Sequence, residues 1–167
     1  DSSVASGIKW ADDSTPKVFA SVLSSVVGDG TVQEQSVFSV SLPGSILGTN
    51  NVVRATVNGS VSFDGAAGGS VLVQATYGGG RVASVLVARG DALGLNGQIE
   101  YRLFGNGAVN AQHGELRVFF ARTNTGFSSF VGTTAFDFGT ASVASGGAQN
   151  IGVTWRFSTT DTGNEFT

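Results

Sequence analysis

Apolar side chains recur at every second position over short stretches of this chain, and glycine, asparagine or proline separates one stretch from the next. In residues 38–42, Phe38, Val40 and Leu42 alternate with Ser39 and Ser41, and Pro43, which has no N–H for a ladder, ends the run. From 53 to 63, Val53, Ala55, Val57, Val61 and Phe63 alternate with Arg54, Thr56 and Asn58, so one face can be buried while the other meets water or a partner. Residues 71–77, 82–88, 98–104, 115–121, 134–138 and 150–157 read the same way, which makes eight strands and no strong helix. Residues 18–27, rich in Val and Ser, fit neither period. The expected fold is an all-β, antiparallel β-sandwich.

Turn residues set the expected pairing. Asn58-Gly59 has the chemistry of a type I′ hairpin, but a turn there would cut a long strand into two stubs. A turn over 64–69 keeps the alternation in phase and is expected to pair 53–63 with 70–77. Asn96-Gly97 and Asn106-Gly107 each abut an alternating run and are expected to be turns. Gly78-Gly79-Gly80 is another, lacking both the Lys of a phosphate loop and a following helix.

Residues 1–35 differ from the rest: they hold both Lys, Asp12-Asp13, one of the 2 Pro and few aromatics. They are expected to form a connector, with the sandwich over 36–167. Nine of the 12 Phe lie from Phe104 onward, which weights the aromatic core to the C-terminal half. The absence of Met implies a fragment or a processed product.

Composition then narrows the function. Charged residues make up 13% of the chain and the net charge is −3, with Arg scattered singly, so no basic stripe is expected to bind nucleic acid. No apolar run approaches the roughly 18 residues of a membrane span, so no membrane insertion is expected. The lack of Cys excludes disulfides, thiolate metal sites and a Cys nucleophile.

The opening DSSVASGIKWA, residues 1–11, resembles a linker motif of tailed-bacteriophage tail and fibre proteins that joins a shaft or anchor to a distal domain. Over residues 37–167, SLPGSILGTNNVVRATVNGSVSF and SVLVQATYGGG resemble the first half of a phage fibre-tip β-sandwich. QIEYRLFGNGAVNAQHGELRVFF and NIGVTWRFSTTDTGNEFT resemble its second half. Gly48, Thr49 and Asn50 match a leucine-glycine-threonine-asparagine corner, and Trp155 a tryptophan of the penultimate strand. The resemblance implies a jelly-roll-like sandwich, usually trimeric, on the virion surface, with one further short strand after Asn164.

No chemistry of turnover is indicated. His113 is the one histidine and has only Glu115 nearby, so neither a zinc pair nor a triad is suggested, and no cofactor or metal is expected. The 12 acids are too dispersed to single out a glycosidase pair, and Asp137 between Phe136 and Phe138 is expected to point outward while both rings point in. Asp12, Asp13, Asp29 and Asp161 lack calcium-loop spacing and read as turn residues. Trp155, in phase with Val153 and Phe157, is expected in the core, whereas Trp10 is expected to pack on a neighbouring chain.

The expected role is a distal virion domain that forms a homotrimer, meets other virion proteins through its connector, and binds a bacterial surface glycan or protein. A capsid- or tail-bound cementing protein is the alternative, and a depolymerase a distant third. Arg54, Arg102, Arg117 and Arg156 on polar strand faces suit an assembly that covers part of a sheet. Receptor contacts are expected on loops at one end. Asn106, Asn110, Gln112 and His113 in 105–114 offer groups that can bond sugar hydroxyls. Phe127 and Phe130 in 123–132 offer apolar platforms, or else plug a sheet edge.

Overall fold

A computed structural model describes residues 33–62, 70–88, 94–122, 132–158 and 165–166. The described residues form eight long strands and a two-residue ninth. They are Gln35–Leu42 (β1), Val52–Ser62 (β2), Ser70–Tyr77 (β3), Gly80–Ala88 (β4), Gly94–Gly105 (β5), Gln112–Arg122 (β6), Gly132–Ala141 (β7), Gln149–Phe157 (β8) and Glu165–Phe166 (β9). Two antiparallel sheets, ordered β1-β8-β3-β4 and β7-β6-β5-β2-β9, pack as a β-sandwich. β3-β4 is a hairpin and β5-β6-β7 a meander, while the other connections pass between the sheets. Among the described residues no helix is long and apolar enough to cross a membrane.

Alternation places the core. Ile99, Tyr101 and Leu103 of β5, with Leu116, Val118 and Phe120 of β6, face Val71, Val73 and Ala75 of β3 and Ile151, Val153 and Trp155 of β8, all buried. Phe38, Val40 and Leu42 also turn inward as expected, aided by an irregularity between Ser36 and Phe38 that lets Val37 bury too. Gly78 and Gly79, at φ 57 and 81, make the two-residue β3-β4 turn that only residues tolerant of positive φ allow.

Four expectations are corrected. Asn96-Gly97 is not a turn: it runs inside β5, paired with Ser60 and Gly59 of β2 and with Ala121 and Phe120 of β6. Gly97 is there for space, since a Cβ on it would lie 1.9 Å from the Phe119 carbonyl oxygen and 2.6 Å from the Phe120 ring. β2 and β3 do not pair but lie in opposite sheets, and β2 runs unbroken through Asn58-Gly59 beside β5. The phase of β7 is inverted, with Phe136 and Phe138 exposed and Asp137 turned in.

The fourth concerns the boundary after residue 35, which falls inside β1. Glu34 Oε1 accepts a bond from Thr154 Oγ1 at 2.8 Å, and Trp155 Nε1 donates to Gln35 Oε1 at 3.3 Å, so both residues belong with the sandwich. The readings of Trp10, of 18–27, of the turn over 64–69, of Phe127 and Phe130, and of Asp12, Asp13, Asp29 and Asp161 lie outside the described residues.

The reason for the inverted phase of β7 is closure of the sandwich. Here β7 crosses the free edge of β4 so closely that a Cβ on Gly139 would lie 1.7 Å from the Val82 carbonyl oxygen. No large side chain fits between the two backbones, so the inward positions hold Ala135, Gly139 and Ala141. The remaining one, Asp137, accepts the Ser84 N–H at 2.8 Å through Oδ2, which satisfies a donor that an edge strand would otherwise leave open.

Among the described residues, one buried side-chain polar atom has no hydrogen-bond partner: the Tyr101 hydroxyl. Burial, and the Tyr77 phenol beside it, push the Tyr101 phenol far above its ordinary 10.0; burial also raises Tyr77. Tyr101→Phe is expected to raise unfolding free energy by about 1 kcal/mol, since it removes an unbonded hydroxyl and leaves the ring. Because both folded values are raised, the stabilisation is complete below about pH 10 and is lost as pH rises, when the unfolded chain sheds those protons first. Denaturant titrations at neutral and alkaline pH check both statements, the alkaline loss being smaller in the variant.

Candidate functional site

The outward face of the five-stranded sheet combines charge with exposed aromatic surface. Register sets Val52, Phe104, His113 and Thr140 in one row across β2, β5, β6 and β7, and Arg54, Arg102, Glu115 and Phe138 in the next. Thr56, Glu100, Arg117 and Phe136 form the third, and Asn58, Gln98, Phe119 and Thr134 the fourth. Arg54 and Arg102 stand directly opposite each other, a pairing that repels unless a carboxylate intervenes. Glu100 intervenes: its Oε1 forms an ion pair with Arg54, 3.0 Å from Nε, and accepts a bond from Arg102 Nε. Glu115 continues the ladder, bonded to Arg117 through Nε and Nη2 and lying 3.8 Å from Arg102 Nη1. The carboxylates are deep, with Glu100 12% and Glu115 7% exposed, and need this cationic company. The guanidinium groups above them are shallow, Arg54 57% and Arg117 52% exposed.

Beside the ladder runs a strip of rings. Phe104 and His113 are 6.2 Å apart between centroids, His113 stacks on Phe138 at 5.9 Å and 18°, and Phe138 meets Phe136 edge to face at 5.6 Å. Phe136 and Phe138 remain 65% and 50% exposed, and Phe119 and Val52 are also exposed on this face. Sequence reasoning missed most of this surface. The signal present was the Glu100/Arg102 and Glu115/Arg117 spacing, which puts acid and base on one strand face. Of the four polar-face arginines, Arg54, Arg102 and Arg117 stand on this face, whereas Arg156 lies on the other sheet, in a shallow groove with Leu72 and Leu86.

At the end of the sandwich carrying the β5-β6 loop, connections are knit by backbone bonds. Gly107 donates to the Thr49 carbonyl at 2.8 Å, Ser145 to Val109 at 2.8 Å, and Ser45 to Ser145 at 2.7 Å. In the 47–50 corner Leu47 is buried and Gly48 takes φ 53. Asn106 and Asn110 are exposed on this loop. Gln112 is not available to a ligand: it is buried, donates through Nε2 to the carbonyls of Val109 and Val143, and accepts the Val143 N–H through Oε1. His113 sits on the sheet face. Segment 105–114 runs from the end of β5 into β6, and residues 123–131 lie outside the described residues. Phe127 and Phe130 themselves lie outside the described residues.

These groups suit binding. Glu100 and Glu115 are held in ion pairs and Asp137 on a backbone N–H; among the described residues no three His, Cys, Asp or Glu gather as metal ligands. Comparison with protein-family models, curated protein sequences and solved structures finds no match to the chain.

Proposed function

We propose that this chain is the distal β-sandwich domain of a bacteriophage fibre, tail or head appendage, a homotrimer that displays a binding surface to the bacterial cell and acts without turnover. The observation that carries the binding role is the outer face of the five-stranded sheet, where an ordered ion-pair ladder lies beside phenylalanine rings left in water. Contiguous apolar surface of this kind marks interaction sites on soluble domains. The likeness of residues 1–11 and 37–167 to phage fibre sequences supports the virion setting. Three copies on one shaft turn weak contacts into avidity where the ligands can be engaged together.

Reconstruction of the particle that carries the chain tests the reading: density for the sandwich is expected at the outer end of a fibre or appendage. A flat layer on the shell would make it a cementing protein, and absence from the particle would end the virion proposal. Light scattering of the full chain at micromolar concentration is expected to give the mass of three chains; a monomer mass removes the trimer from the proposal.

A further inference from the structure

We propose that the outer face of the five-stranded sheet binds a carboxylate-bearing polysaccharide, its guanidinium groups meeting the carboxylates and its ring strip meeting the apolar faces of the sugars. The inference rests on the surface-binding role above and moves the site from the loops to the sheet. Depth decides the sign of this face. Glu100 and Glu115 lie beneath, while Arg54 and Arg117 are more than half exposed, so an approaching ligand meets cations first. Three guanidinium groups over two carboxylates leave a local positive surplus on a chain whose net charge is −3. The Nε atoms of Arg102 and Arg117 each donate to a carboxylate below, and Arg54 is ion-paired to Glu100, which restrains the guanidinium groups before a ligand arrives and lowers the ordering cost of binding. A planar guanidinium matches a carboxylate with two parallel N–H bonds.

Phe136 lies beside Arg117 and Phe138 beside Glu115, one strand away at about 4.8 Å, so the ring strip borders the charged ladder. A uronate unit brings both complements together, a ring with C–H faces and a carboxylate attached to it, and a polymer repeats them. A second copy fits less well. Two such faces laid together set arginine against arginine, and the other sheet offers Arg156, with the rim carboxylate of Glu34 bonded to Thr154. A single surplus charge is also too little to neutralise a run of phosphates.

The test is binding of the full chain to immobilised polygalacturonate, dextran, polyglutamate and a single-stranded oligothymidylate. Binding is expected to polygalacturonate, more weakly to polyglutamate, and not to dextran or oligothymidylate. Phe136→Ala and Arg117→Ala are each expected to weaken polygalacturonate binding about tenfold, with Arg54→Ala as a second cation variant should Arg117→Ala fail to fold. Arg117→Lys should recover only part of the loss, because the ammonium keeps the charge and lacks the fork. No binding to polygalacturonate, equal binding to dextran or polyglutamate, or tighter binding to the oligonucleotide overturns the assignment. So does a change of mass in light scattering on Phe136→Ala, which would give the face to a second copy. Particle position is measured separately, so a sandwich at a fibre tip that ignores polygalacturonate sinks this ligand and leaves the virion role standing.

Discussion

Trp155→Ala is expected to lower the unfolding free energy by about 3 to 5 kcal/mol, the range for deleting a large aromatic from a packed interior. Trp155 is 1% exposed and belongs to β8, which lies between β1 and β3, so its loss is felt on both sides. The ring meets Phe157 at 5.5 Å between centroids, and its N–H reaches Gln35 on β1. Neighbouring side chains stand on a sheet that cannot collapse without moving three strands, so most of the cavity persists. Chemical denaturation should show a lower midpoint with an unchanged slope. Any loss of ligand binding should follow the folded fraction. A variant of parental stability that no longer binds would put Trp155 on the working surface instead.

Strand identity was legible because each strand carries its own period-2 signal. Residues 38–42, 53–61 and 150–157 need no tertiary information to declare which side is buried, and the rejection of a turn at Asn58-Gly59 followed from strand length alone. Asn96-Gly97 misled because a glycine required for a turn and one required for close approach look alike in sequence. The Phe119 carbonyl that excludes a Cβ from Gly97 is more than twenty residues away. β7 misled for a related reason. Burying the larger residues is the right rule where two sheets stand about 10 Å apart, and it fails where one strand closes on the edge of another.

The candidate site was less legible than the fold because it exists only after register is known. Arg54, Glu100, Arg102, Glu115 and Arg117 come from three strands, and a slip of one residue in either pairing would scatter them to both faces. His113 shows the difference between sequence neighbourhood and spatial neighbourhood. It follows the β5-β6 loop in the chain, yet its ring contacts are Phe104 and Phe138 on the sheet.

Gln112→Leu is expected to destabilise the protein by about 3 kcal/mol, although leucine nearly preserves the volume and suits a buried site. The cost arises in the backbone. Gln112 accepts the Val143 N–H at 3.0 Å and donates to the Val143 carbonyl at 2.9 Å, so the substitution removes both of these partners from one buried residue. Each group left without a partner costs about 1 to 3 kcal/mol. The Val109 carbonyl is less affected, because Ser145 also reaches it through its N–H at 2.8 Å and its Oγ at 2.7 Å. Gln112→Glu should fail as well, since a carboxylate can accept from Val143 but turns its second oxygen toward two carbonyls. Denaturant midpoints give the magnitude, and hydrogen exchange locates it: the Val143 amide should lose protection while the Trp155 amide keeps its relative rank. A Gln112→Leu chain as stable as the parent but defective in binding would restore Gln112 to the ligand-contact set, and the knit loops would then have to open for it to act.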